Sequence, residues 1–229
     1  MRLARHASAA ALCAAVALGL VATGCSNVIE GTPRADPRTP GVALTDDGFG
    51  VVAGFDDAPV HLEIFTEPQC THCADLQHDY GEEIRSHLQA GRLAVTYRPL
   101  TFFDEEYYLD YSALVSNALF LAVAPSTSAG DFQTFVEDLW ANQDLSYIDY
   151  TDADFAEIAE EAGLAAPIVE DIDSGARGVR VQAMSDANTA ALMDITGGRA
   201  GTPTIYDLDA REVVDVSEPD WLENLIASA

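Results

Sequence analysis

Near residue 70 the hydrophobic period of the chain changes from two to about 3.6, and two cysteines mark the change. Upstream, Val60, Leu62 and Ile64 alternate with polar residues and lead to Phe65, as in a strand. Downstream, Cys73, Leu76, Tyr80, Ile84 and Leu88 recur at steps of three and four, which places them on one helix face. Between the two lie Thr66-Glu67-Pro68-Gln69, a short turn, and then Cys70-Thr71-His72-Cys73. A chain that passes from a strand through a turn into a helix presents unpaired helix N–H groups and the positive end of the dipole at that turn. A thiolate at Cys70 is stabilised there and its pKa is expected to fall. Cys73, one turn further in, is close enough to form a tight disulfide after Cys70 has attacked a partner. Cys70 is therefore the expected nucleophile, and Cys73, facing the core, the resolving thiol with the higher pKa. His72 lies between them; charged, or donating a hydrogen bond, it stabilises the Cys70 thiolate.

The other two cysteines have different expected fates. Residues 1–24 have a basic start (Arg2, Arg5), an apolar stretch from Ala9 to Val21 and small residues before Cys25. The stretch is too short and alanine-rich for a membrane span and reads as an export signal, which removes Cys13. Ala22-Thr23-Gly24-Cys25-Ser26 resembles the lipobox of bacterial lipoproteins, in which the cysteine becomes the lipidated first residue. Ala22 stands where a large aliphatic residue is usual, and plain secretion is the alternative. With Cys25 lipidated, Cys70 and Cys73 are the pair that is left. A crosslink closing so short a loop adds little stability, so the pair is there to react rather than to staple. Residues 25–45, with Gly31, Pro33, Pro37, Pro40 and Gly41 and no apolar period, read as a flexible tether.

The chain carries 38 acidic residues against 11 arginines and no lysine, a net charge of −27. That balance argues against binding of nucleic acid or anionic headgroups through the globular part. From Pro99 to Ala176 there are 17 Asp and Glu and no Lys, Arg or His. This reads first as a solvated acidic surface; were it to cap the reactive groove, basic substrates would be favoured over acidic ones.

Further elements follow from periodicity. Phe49–Gly54 is an expected edge strand, and Leu93–Leu100 a strand parallel to Val60–Phe65. Helices are expected over Tyr111–Val123, Asp131–Gln143, Asp152–Gly163, Ile168–Ser174 and Arg177–Asp194, with Asp131 and Thr151 or Asp152 as N-caps. Strands at Thr204–Asp207 and Glu212–Val216 and a helix at Glu218–Ala227 complete the chain. Gly81 is expected to permit a bend in its helix. Glu67 is read as an exposed, well-screened turn carboxylate, His61, His78 and His87 as surface residues, and Phe132, Phe135 and Trp140 as core. A CxxC pair can be half of a zinc site, but there is no second pair, and His78 and His87 do not share a helix face; no metal is expected.

Gly201-Thr202-Pro203-Thr204, just before a strand, completes the pattern: a cis bond before Pro203 would set a backbone edge beside the cysteines for an extended peptide. With Phe65-x4-Cys70-x2-Cys73, Ala162-Gly163-Leu164 and this element in that order, the chain from about Phe49 to Ala227 resembles the DsbA-like branch of the thioredoxin superfamily. The resemblance implies an α/β, thioredoxin-like fold: a central mixed β-sheet flanked by helices, with a large inserted all-helical subdomain. Its halves would span 46–103 and 196–229, and the insertion 104–195. It also implies a redox-active Cys70–Cys73 disulfide, a cis-proline at Pro203, substrate contacts from Thr71, Thr202 and Pro203, and no bound cofactor. Implied partners are reduced secreted proteins and a quinone-linked membrane reoxidase of the DsbB or vitamin-K-epoxide-reductase type. The expected protein is an exported, lipid-anchored monomer that forms disulfides. Alternatives are a reductase or isomerase, for instance in cytochrome maturation, and a non-catalytic binding lipoprotein. Three positions depart from the family pattern. Thr71 follows the first cysteine where proline is frequent. Ile64 stands where a carboxylate is frequent, with Glu63 one place earlier and on the other face. Thr202 occurs in reducing and isomerising relatives too, which leaves the direction of exchange open.

Overall fold

A computed structural model describes residues 38–143 and 150–229. The strands are β1 (Gly41–Leu44), β2 (Val51–Gly54), β3 (Val60–Thr66), β4 (Leu93–Pro99), β5 (Thr204–Asp207) and β6 (Glu212–Val213). They form one sheet in the order β1-β2-β4-β3-β5-β6. β3 and β4 are parallel, joined through α1 (Thr71–Gln89), and the other neighbours are antiparallel. Helices α2 (Phe102–Tyr107), α3 (Tyr111–Leu121), α4 (Ala129–Ala141), α5 (Asp152–Glu161), α6 (Ala166–Asp173) and α7 (Val181–Ile195) lie between β4 and β5, and α8 (Trp221–Ser228) follows β6. This is the mixed sheet with a helical insertion that the resemblance implies.

Side-chain alternation explains which helix covers which face. Leu62, Ile64, Val95 and Tyr97 share one face with Val51 and Ala53 and are all fully buried. α1 and α4 cover that face: the Tyr97 hydroxyl donates to Gln133 on α4, and the Gln133 amide donates to Gln77 on α1 at 2.9 Å. On the opposite face Arg98 donates to Glu63 at 2.7 Å, to Asp47 at 2.6 Å and to Asn188 on α7 at 3.3 Å. Glu63 thus points away from the α1 side. α7, although within the expected insertion, covers the sheet. Phe132, Phe135 and Trp140 are core residues.

Several expectations need correction. The tether ends before residue 45, because Gly41–Leu44 pairs with β2 as β1. Of its four residues only Val42 packs against the core and the other three are exposed, so no apolar alternation announces it. Ser128, not Asp131, caps α4, its hydroxyl accepting the Asp131 N–H at 3.1 Å. His87 is buried where α1 meets its neighbours rather than solvated. α2 was not expected at all.

Gly81 serves close packing of α1 on α4 instead of a bend: a Cβ placed there would lie 2.6 Å from Glu137 Cγ. Helix propensity alone predicts that Gly81→Ala stabilises by about 1 kcal/mol. The contact reverses this, and a net loss of about 1–2 kcal/mol is expected in urea unfolding. A gain would show that Glu137 moves aside without cost.

Candidate active site

β3, parallel to β4 and covered on both faces, delivers Ile64, Phe65 and Thr66 into the interior as a buried run. The chain then turns, with Cys70 N–H donating to the Glu67 carbonyl at 3.0 Å. Cys70 is the N-cap of α1, and its carbonyl accepts from Cys73 N–H at 3.1 Å and Ala74 N–H at 3.2 Å. Both cysteines are free thiols; Cys70 is 9 % exposed and Cys73 is fully buried.

The two sulfurs titrate in opposite directions. The Cys73 thiol hydrogen-bonds to Cys70 and is the largest cause holding the Cys70 thiol down at about 5. Burial works against this, while the Thr202 side chain and the N–H groups of Cys73 and His72 reinforce it. Burial pushes Cys73 far up, and the adjacent Cys70 adds to the rise; the Thr66 side chain and the Glu67 backbone N–H oppose it. Cys70 thus stands at the helix tip with the higher-pKa Cys73 thiol beneath it. His72 contributes through its backbone N–H, whereas its imidazole is 80 % exposed and lies 3.5 Å from Asp75. Thr71, the first residue of α1, is exposed.

The distant Gly201-Thr202-Pro203-Thr204 element meets the cysteines. Cys70 Sγ lies 3.2 Å from the Thr202 carbonyl oxygen, and the Thr202–Pro203 bond is cis. A groove of about 460 Å3 runs beside this contact, lined by His72, Asp75, Leu76, Asp79 and Tyr80 on the α1 side and by Thr202, Pro203 and Val216 opposite.

Glu67 overturns its expected place. It is fully buried, because the turn that holds it folds under α3 rather than out to solvent. The Ser112 hydroxyl donates to Glu67 Oε1 at 2.5 Å and Gln69 N–H to Oε2 at 2.6 Å. The Gln69 amide also donates to Asp104 at 2.8 Å and Ser112 at 3.0 Å. Burial raises the Glu67 carboxyl to about 8, with Asp104 and Cys70 adding repulsion and the Ser112 and Gln69 bonds acting the other way. Asp104 is itself raised by burial. Just past the end of α4, Gln143 donates to the carbonyls of Pro68 at 2.7 Å and Cys70 at 3.0 Å. Ser112, Asp104 and Gln143 lie far from the cysteines in the chain and carry no local motif; their role emerges from the packing of the insertion against the turn. Cys25 lies outside the described residues. Among the described residues no group of three or more His, Cys, Asp or Glu is placed to hold a metal.

A low-pKa thiolate over a buried thiol can attack a disulfide sulfur or, once oxidised, be attacked by a thiolate. Comparison with known proteins bears on the family and the fold. A sequence model described as thioredoxin matches residues 46–227. The structure is similar to the MdbA protein, a thiol-disulfide oxidoreductase from Corynebacterium diphtheriae, at TM-score 0.66 and 22% identity, covering 83% of this chain and 95% of that one. Reduced DsbA from Mycobacterium tuberculosis matches at TM-score 0.59 and 16% identity, covering 83% and 92%. Oxidised BdbD from Bacillus subtilis matches at 0.57 and 19%, covering 83% and 98%. The serine/threonine-protein kinase PknE of Mycobacterium tuberculosis is 29% identical over 182 residues, 77% of this chain and 31% of the kinase. The chain thus spans about a third of the length of that relative.

Proposed function

The chain belongs to the thioredoxin family, and on that footing we propose that it is an exported thiol:disulfide oxidoreductase whose Cys70–Cys73 pair passes a disulfide to reduced polypeptides. A substrate thiolate attacks Cys70 Sγ of the oxidised pair, the Cys70–Cys73 bond breaks, and Cys73 leaves as a thiolate beside Thr66 and the Glu67 N–H. Cys73, whose thiol burial pushes far up, takes up the proton that the attacking substrate thiol released. A second substrate thiolate then attacks the substrate sulfur of the mixed disulfide. Cys70 departs as a stabilised thiolate, the substrate gains its disulfide, and the pair is left reduced. Thr202 and Pro203 hold the extended substrate across the groove, and Thr71 borders it at the helix tip. A quinone-linked membrane enzyme of the DsbB or vitamin-K-epoxide-reductase type returns the pair to the disulfide, and lipid on Cys25 keeps the domain at the cell membrane.

The observation that carries this reading is the opposed titration of the two sulfurs. A thiolate held near pKa 5 is a good leaving group and favours the reduced pair, which makes the disulfide oxidising. MdbA, by its description a thiol-disulfide oxidoreductase, shares the fold and supports the same chemistry. Trapping tests it. The full chain carrying Cys73→Ser, expressed with its export signal, is expected to accumulate disulfide-linked adducts through Cys70 that dithiothreitol releases. An absence of adducts, with Cys70 inert to alkylation, would favour a non-catalytic binding role.

A further inference from the structure

The groove beside Cys70 carries chemistry that thiol exchange itself does not use. Its α1 wall presents the carboxylates of Asp75 and Asp79, whose side chains are 71 % and 61 % exposed. Tyr80 stands next to them with its position held twice: its hydroxyl donates to the Pro219 carbonyl at 3.1 Å, and its ring meets Trp221 edge-on, with centroids 5.4 Å apart. Leu76, Pro203 and Val216 supply the apolar part of the lining. Among the described residues no arginine lines the groove, and the chain has no lysine. Arg199, the basic residue nearest the Thr202-Pro203 loop in the chain, turns its guanidinium back towards the Thr196 carbonyl at 3.4 Å. The imidazoles of His72 and His78 lean on Asp75 and Asp79 at 3.5 Å and 2.8 Å.

Two carboxylates beside a fixed aromatic ring form a receptor for a cationic side chain, by ion pairing and by the attraction of a cation to the ring face. The receptor lies alongside the cysteine sulfur and the loop that faces it. We propose that Asp75, Asp79 and Tyr80 select substrate cysteines flanked by an arginine or lysine, so that the preferred substrate is a reduced polypeptide with a basic side chain within a few residues of the reacting thiol. The inference rests on the thiol-exchange reading and adds its substrate class. It differs from a general effect of the net charge of −27, because the selecting groups are local to the groove.

The experiment compares oxidation of reduced model peptides by the oxidised full chain at pH 8. The peptides are identical except for arginine, glutamine or glutamate two residues from the cysteine. The arginine peptide is expected to react roughly five- to tenfold faster in kcat/KM than the glutamate peptide at low salt, as exposed ion pairs and one cation–aromatic contact allow. At high salt the ratio should shrink towards a small residue due to the ring. Asp75→Asn with Asp79→Asn should collapse the ratio. Glu157→Gln with Glu160→Gln on α5, which removes the same charge elsewhere, should leave it as in the unaltered chain. Equal rates for the three peptides overturn the inference while leaving the exchange reading intact. So does a ratio that falls equally in both double variants, which would assign the preference to the overall field. No reaction with any peptide, or with dithiothreitol, overturns the exchange reading and the inference with it.

Discussion

Cys70→Ala in the reduced protein is expected to abolish disulfide exchange and to leave a folding stability that rises as pH is lowered from 7 to 5. The first half follows from the site: Cys73 is fully buried with its thiol pushed far up, so it cannot take the place of Cys70 as nucleophile. A loss of at least about 10³-fold, limited by assay background, is expected because the reacting atom itself is gone. The second half follows from Glu67. Its carboxyl titrates near 8 in the folded chain, against an ordinary value of 4.5. Between those values the folded state binds a proton that the unfolded state has released, so stability falls as pH rises through this window. Acidification from pH 7 to 5 therefore recovers about 2 kcal/mol from this group. Urea unfolding of the variant under reducing conditions at the two pH values measures it. A flat profile would mean that Glu67 is ionised inside the fold.

Glu67→Gln is expected to do the opposite. The amide keeps both contacts: its oxygen can accept the Gln69 N–H and its NH2 can donate to the Ser112 hydroxyl. The group that remains is Cys70, whose thiol is depressed from 9.0 to about 5. A depressed acid stabilises the fold above its folded pKa and loses that contribution as pH falls through it. The reduced variant should therefore lose about 2 kcal/mol between pH 7 and 5, where Cys70→Ala gains about as much. At pH 7 it should exceed the unaltered protein by about 1–2 kcal/mol, since a buried carboxyl that resists ionisation has been replaced by a neutral group. In the unaltered reduced protein the two groups oppose each other, and the slope over this range is shallow. Because Glu67 is protonated over the range in which Cys70 titrates, Glu67→Gln should leave the Cys70 pKa near 5, which alkylation rate against pH would check. A variant less stable at every pH would show instead that the carboxyl is held as an ion by its two donors.

Much of the site was legible because its signals are local. The period change at Cys70, the spacing of Cys73 along the helix face and Thr202-Pro203 before a strand each depend on a few adjacent residues, and the structure brings all three together. The helices of the insertion were legible for the same reason. Glu67 was misread because the exposure of a turn is set by what packs over it. α3 supplies Ser112, 45 residues away, and no periodicity near Glu67 encodes that approach. Gln143 and Asp104 reach the turn in the same non-local way. β1 escaped notice because an edge strand with mostly exposed side chains has no hydrophobic alternation to read. α2 is only six residues long, too short for a helical period to stand out.

The equilibrium reduction potential of the Cys70–Cys73 pair, titrated in the purified domain against glutathione, tests the central claim most directly. Reference dithiols of this superfamily run from about −270 mV for thioredoxin, whose reactive thiol titrates near 7, to about −120 mV for DsbA, whose thiol titrates near 3.5. With Cys70 held at about 5, a value between these limits and above about −200 mV is expected. A potential at or below that of thioredoxin would contradict the account and make the pair a reductant.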